Sequence, residues 1–155
     1  MIKLRGICRN FQVGDQIVTA LNHVDLEIQH GEYISIMGPS GSGKSTLLNI
    51  LGLLDRPTEG TYWLNKKDVS QLEERALAEQ RQKNIGFIFQ AYHLLDDLTV
   101  YENIETPLLY KKVKSSERKA LVADILDRFN IVGKKDLFPH QLSGGQQQLV
   151  GIARA

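Results

Sequence analysis

Gly38-Pro39-Ser40-Gly41-Ser42-Gly43-Lys44-Ser45-Thr46 is the stretch on which the fold turns. It satisfies G-x-x-x-x-G-K-[ST], in which glycines let backbone N–H groups turn inward around phosphate oxygens. Lys44 brings a point charge to the outer phosphates, and Ser45 offers a hydroxyl to Mg²⁺. Such a loop belongs between a strand and a helix, and both flanks read that way. Residues 33–37 form an apolar-rich run that enters the loop, while Leu47, Leu48, Ile50, Leu51 and Leu54 follow as an apolar helix that Arg56-Pro57 ends. The order strand, phosphate loop, helix predicts an α/β fold. Thr46, beside Ser45, reads from the residues alone as a helix position rather than a ligand.

A second loop, Leu142-Ser143-Gly144-Gly145-Gln146, opens another helix with small residues. Its N–H groups and Ser143 are able to grip an anion from a second direction. Between the two loops, residues 60–64 and 85–89 read as strands, with Trp63 assigned to core packing. Ser70-Gln71-Leu72-Glu73 and Thr99-Val100-Tyr101-Glu102 both fit capping boxes, so helices are expected to begin at each. Pro107 is expected to kink the helix that carries it. The next helix places Leu121, Ile125, Leu126 and Phe129 on one side. Ahead of the first loop, residues 2–4, 17–21 and 24–28 read as short strands separated by turns at Gly14-Asp15 and His30-Gly31.

The chain has 155 residues, 42% hydrophobic and 24% charged, which is ordinary globular material with enough length for a core. A formal net charge of +1 gives no electrostatic reason to expect nucleic acid as a partner. Cys8, the single cysteine, excludes an internal disulfide and any multi-cysteine metal centre, as suits a reducing compartment. The longest apolar run, residues 47–54, is far shorter than the ~20 residues of a membrane span. The first residues alternate charged and apolar side chains, unlike a signal peptide, so a cytoplasmic location is expected. His23, His30, His93 and His140 show no metal-like spacing and receive no role.

Two further positions stay open on the residues alone. Phe11 serves equally as a core aromatic or as a platform for an adenine ring. Gln90 ends the expected strand 85–89, where side chains in open α/β sheets commonly face the site; a solvated turn glutamine is the other reading.

With both loops placed, the whole chain resembles the ATP-binding subunits of ABC transporters, whose signature loop matches Leu142-Ser143-Gly144-Gly145-Gln146-Gln147-Gln148. Leu51-Gly52-Leu53-Leu54-Asp55-Arg56-Pro57-Thr58-Glu59-Gly60 and Ile85-Gly86-Phe87-Ile88-Phe89-Gln90 look like the macrolide-exporter and lipoprotein-release group. The resemblance implies a P-loop NTPase core with an N-terminal β subdomain and an inserted helical subdomain, incomplete at the C-terminus. Residues 1–89 correspond to the β and phosphate-loop part. Residues 90–155 correspond to the coupling-glutamine loop, helical subdomain and signature helix. ATP and Mg²⁺ are the implied cofactors, with Phe11 at the adenine-stacking aromatic and residues Gly38 to Thr46 at the phosphates. Ser45 and Gln90 are the metal candidates. Leu142, Ser143, Gly144, Gly145 and Gln146 would cap the nucleotide of an opposing subunit.

The same resemblance implies a head-to-tail pair of subunits seated on membrane permease subunits at the inner face of the membrane, contacted through residues 91–99. Leu149 stands where this group carries arginine. The family pattern continues past the signature helix to a second acidic motif and a switch histidine, which these residues do not contain, so slow turnover and a truncated chain are expected. Two other readings follow: a nucleotide-binding remnant without turnover, and a soluble ABC-type ATPase acting on ribosomes or DNA. The last predicts linked ATPase domains, a coiled coil or a basic surface, none of which the sequence shows.

Overall fold

In the computed structural model, which describes residues 1–155, β1 (Ile2–Val13) and β2 (Gln16–Ile28) form one long antiparallel hairpin. Gly14, at φ +60°, supplies the left-handed residue that a two-residue hairpin turn needs. The stretches 17–21 and 24–28 are therefore one strand. β2 carries an extra residue where Ile7 faces Val24 and Arg9 faces Leu21, and His23 takes φ +49° in that bulge. Phe11 lies inside β1, opposite Val18, because the hairpin extends well beyond the apolar first residues.

β1 also pairs antiparallel with β3 (Glu59–Leu64), and β3 with the short β4 (Lys67–Asp68), in the order β2-β1-β3-β4. Asn65 and Lys66, both at positive φ, make the β3–β4 turn. Strand alternation buries Tyr62 and Leu64 and turns Trp63 outward, 39% exposed, against the expectation that it packs in the core. This sheet, α1 (Lys44–Leu51) and α2 (Glu74–Asn84) belong to the first of two units, Met1–Ile85. Its core joins Leu4, Ile7, Leu21, Ile50, Leu53, Tyr62, Leu64, Val69 and Leu77. Each fully buried side chain of this size contributes about 1.5–3 kcal/mol relative to exposure. The Tyr62 hydroxyl donates to the Leu51 carbonyl at 2.8 Å, satisfying one of the last carbonyls of α1.

Ser70 does not cap a helix. Its hydroxyl accepts the Tyr62 N–H at 2.6 Å and donates to Asp68 at 2.7 Å, and α2 starts later, with Glu73 at the N-cap and no side-chain cap. The buried backbone donor of β3 has the stronger claim on that oxygen. Residues 33–37 and 85–89 form no ladder. Tyr33 is 96% and Met37 86% exposed, because a strand needs a hydrogen-bonding neighbour as well as an apolar pattern.

The second unit, Gly86–Ala155, is helical. It contains α3 (Val100–Tyr110), α4 (Ser115–Arg128), two short 3₁₀ turns and α5 (Gly144–Arg154). Thr99 and Glu102 form the expected capping box at α3, which continues through Pro107 to Tyr110. Asn103, fully buried, accepts the Leu95 N–H and donates to the carbonyls of Leu95, Leu98 and Thr99, binding the preceding loop to α3. Val100, Ile104, Val122, Leu126, Ile131, Leu142 and Val150 make the core. Ile125 and Phe129 pack against it, whereas Leu121 is 44% exposed; Val122 takes the inward position instead. Arg118 joins α4 to α3 through Glu105 at 2.9 Å and to the Val113 carbonyl at 2.7 Å.

Candidate functional site

Glycine is required where the phosphate loop meets the sheet. Gly43 caps α1 at φ +85°, and a Cβ there would lie 2.5 Å from the Ala20 carbonyl oxygen on β2. Only a residue without a side chain lets the loop approach that strand. Gly38 is less confined: a Cβ there would fall 2.8 Å from Ser42 Oγ, the end of a side chain that can rotate away.

Lys44 folds back over this loop. Its ammonium donates to the carbonyls of Gly38 at 3.0 Å and Pro39 at 2.5 Å, and to Ser42 Oγ at 3.4 Å. Residues 38–44 thus close around a positive charge. Pro39, Ser40, Gly41, Ser42 and Ser45 are exposed, and Thr46 is partly buried as a helix residue. The first turn of α1 has no acidic residue and its N-cap no side-chain hydrogen bond, so its N–H groups and positive dipole end stay open to an anion. Loop, lysine, hydroxyl and helix end together suit a polyphosphate with its cation.

Phe11 is 37% exposed, and the Arg9 guanidinium sits 4.5 Å from its ring centroid. Arg9 also donates to Asp55 at 2.8 Å, so the cation over the ring is held by a carboxylate on the segment after α1. Val18, opposite Phe11, lies two residues from the Ala20 that Gly43 approaches; β2 thereby links aromatic and loop within the first unit. Sequence reasoning missed Arg9. The available signal was its spacing, since residues 9 and 11 share one face of a strand.

In the second unit, Gln90 is exposed in a turn. Tyr92 and His93 follow at positive φ, and their carbonyls accept hydrogen bonds from Arg154 on α5 at 2.7 and 2.5 Å. Ser143 caps α5 in a capping box: its hydroxyl accepts the Gln146 N–H at 3.4 Å, and Gln146 returns the bond to the Ser143 N–H at 3.0 Å. Leu142 is buried below, while Gly144 and Gly145 are exposed with no acid in the first helical turn. Leu149 uses its apolar side chain against the helical core.

Residues 21–155 match the family pattern described as "ABC transporter". The ABC transporter ATP-binding protein YvrO of Bacillus subtilis, described as uncharacterized, is 47% identical over 155 residues, covering all of this chain and 68% of that protein. The macrolide export ATP-binding/permease protein MacB of Vibrio parahaemolyticus is 48% identical over the same 155 residues, which are 24% of its length. The chain therefore spans about two thirds of one relative and about a quarter of the other. Among solved structures, the dimeric bacterial ABC transporter cassette MJ0796 superposes with a TM-score of 0.91 at 43% identity, covering 99% of this chain and 68% of that one. A post-hydrolysis dimer of MJ0796 bound to ADP and Pi gives 0.91 at 42% identity, with the same coverage. A fold this close, at this identity and over nearly every residue, together with a family match from residue 21 to residue 155, establishes that the chain belongs to the ABC transporter family as an ATP-binding domain.

Proposed function

We propose that this chain is the ATP-binding part of an export or lipoprotein-release transporter, coupling ATP binding and hydrolysis to movements of a partner permease. The observation that carries this reading is the closed loop of residues 38–44, with Lys44 held above it and the open N-terminus of α1 behind it. Gly38, Pro39, Ser40, Gly41, Ser42, Gly43, Lys44, Ser45 and Thr46 hold the phosphates, and Phe11 takes the base on the face that Arg9 leaves free. Ser45 supplies a hydroxyl to Mg²⁺, with Gln90 the second candidate. The cation supplies charge neutralisation at the phosphates when bound.

Residues 1–89 serve as the nucleotide-holding part and residues 90–155 as the coupling and signature part. Ser143, Gly144, Gly145 and Gln146 face the nucleotide of a second, head-to-tail copy, with Leu142 packed beneath them and their open helix end suited to an anion. Two-fold symmetry then gives two equivalent sites. Residues 91–99 contact the permease, which places the chain at the inner membrane face. No helix in the chain is long and apolar enough to cross a membrane. MacB, named as an ATP-binding/permease protein, supports this pairing.

Thermal unfolding with Mg·ATP tests the reading. At a hundredfold excess over Kd, bound nucleotide is expected to add about 2.7 kcal/mol. Lys44→Ala should lose most of that gain; an equal gain in the variant excludes the loop as the site.

A further inference from the structure

We propose that Cys8, His23 and Glu59 form a binding site for a thiophilic divalent cation of the zinc class, separate from the phosphate loop. The three residues come from three adjacent strands: His23 from β2, Cys8 from β1 and Glu59 from β3. Cys8 is the register partner of Glu59, and the bulge in β2 brings His23 to its other side. One ligand atom from each lies within 4.8 Å of the others.

The spacing matches the chemistry. Cys8 Sγ and His23 Nδ1 are 3.6 Å apart. Zinc–sulfur and zinc–nitrogen bonds of about 2.3 and 2.0–2.1 Å, at a tetrahedral angle, place those atoms about 3.5 Å apart. A cation between them would need little backbone movement. A carboxylate oxygen of Glu59 makes the third ligand, and the exposure of His23 and Glu59 leaves a fourth position to water. Three protein ligands plus water is a pattern that zinc accepts readily.

Two observations set this cluster apart from a packed thiol. Cys8 is buried, 5% exposed, and its sulfur has the His23 ring nitrogen 3.6 Å away as a polar neighbour. His23 holds φ +49°, a conformation that non-glycine residues rarely adopt, and its N–H donates to Cys8 Sγ at 3.3 Å. Backbone at that bulge is thereby organised around the sulfur. The Thr58 N–H fixes the Cys8 carbonyl at 2.8 Å, and Asn22 Oδ1 lies 2.7 Å from His23 Nδ1. On binding, the Sγ proton is released to solvent and the thiolate ligates the cation, while the neutral imidazole offers the Nδ1 lone pair with its single N–H on Nε2, and the Asn22 amide turns away from Nδ1.

Cobalt(II) is the probe, titrated into the tag-free, reduced, nucleotide-free chain. One Co²⁺ per chain with a thiolate-to-cobalt charge-transfer band is expected, displaced by Zn²⁺ and not by Mg²⁺, since a hard cation prefers all-oxygen ligands. Cys8→Ser should abolish the band. His23→Asn, which keeps a residue tolerant of positive φ, and Glu59→Gln should each weaken binding at least tenfold with unchanged circular dichroism. Both changes are at exposed positions, so they decide the matter even if Cys8→Ser does not fold. Absence of the band in the wild-type chain, or unchanged affinity in His23→Asn and Glu59→Gln, overturns the proposal.

Discussion

Arg154 Nη2 donates to the backbone carbonyl of Tyr92 at 2.7 Å, tying the last turn of α5 to the turn that follows Gln90. The neighbouring nitrogen reaches the His93 carbonyl at 2.5 Å, and Gly151, one turn earlier on the same helix, lies beside Tyr92. Burial pushes the guanidinium pKa below its ordinary value without making it neutral, so the contact keeps its charge. The last turn of α5 and the turn after Gln90 are therefore tied together within the helical unit.

Arg154→Ala is expected to remove two charge-assisted bonds and lower stability by about 1–2 kcal/mol, the partial exposure of the group holding the figure down. Amide exchange should accelerate first at residues 91–95. Acceleration spread evenly over the helical unit would contradict a local tether.

Gly43→Ala should be among the most damaging single-atom changes in the first unit. A methyl group there meets the Ala20 carbonyl at 2.5 Å and must adopt φ +85°. The left-handed conformation alone costs about 1–2 kcal/mol, and the contact adds to it. Chemical denaturation measures the loss, and Gly41→Ala is the control, since φ there is also positive but no atom lies within 4 Å.

At the start of α3, hydrogen bonds from Thr99 N–H and Thr99 Oγ1, both 2.8 Å, hold the Glu102 carboxyl below its usual pKa. A group depressed in the folded state stabilises above its unfolded pKa, about 4.3, and that stability is lost as pH falls through the folded value. Glu102→Gln, with similar helix propensity, should be less stable than wild type at neutral pH, and the gap should close in acid. A gap independent of pH would mean that the carboxylate charge plays no part.

Steady-state phosphate release from the 155-residue chain is expected to be slow even where nucleotide binds. The groups bonded to Lys44 are two carbonyls and a hydroxyl, none of them a base for water. Charge-stabilising or water-positioning residues in P-loop enzymes are worth about 10³–10⁵ in rate. Fast turnover that disappears in Lys44→Ala would show that a residue already present does this work.

The features legible in the sequence are those fixed by short-range chemistry. The glycine-lysine loop, the Thr99 capping box and the small-residue entry to α5 each depend on atoms within a few residues, so spacing alone reveals them. Ser70 satisfies the same pattern as Thr99 and was misread, because the Tyr62 N–H competes for its hydroxyl from a strand that the pattern does not contain. Residues 33–37 and 85–89 have strand-like composition, yet a ladder is a property of two segments, and neither has a partner segment in the sheet. The Cys8, His23 and Glu59 cluster was invisible for a related reason. Its members are scattered along the chain and meet only through strand register and one bulge.

The Lys44 ammonium is already solvated by its own loop. Three oxygens hold the ammonium before any anion is near it, so a ligand must win an exchange, offering more or better-placed acceptors than the loop gives up. Chloride, with one charge centre and no directional lone-pair array, competes poorly on those terms. A chain of phosphates can replace all three oxygens at once while the released carbonyls return to water. If Lys44 meets the phosphates as proposed, the loop selects by the number of acceptors offered, and a polyanion displaces its oxygens more readily than a small ion.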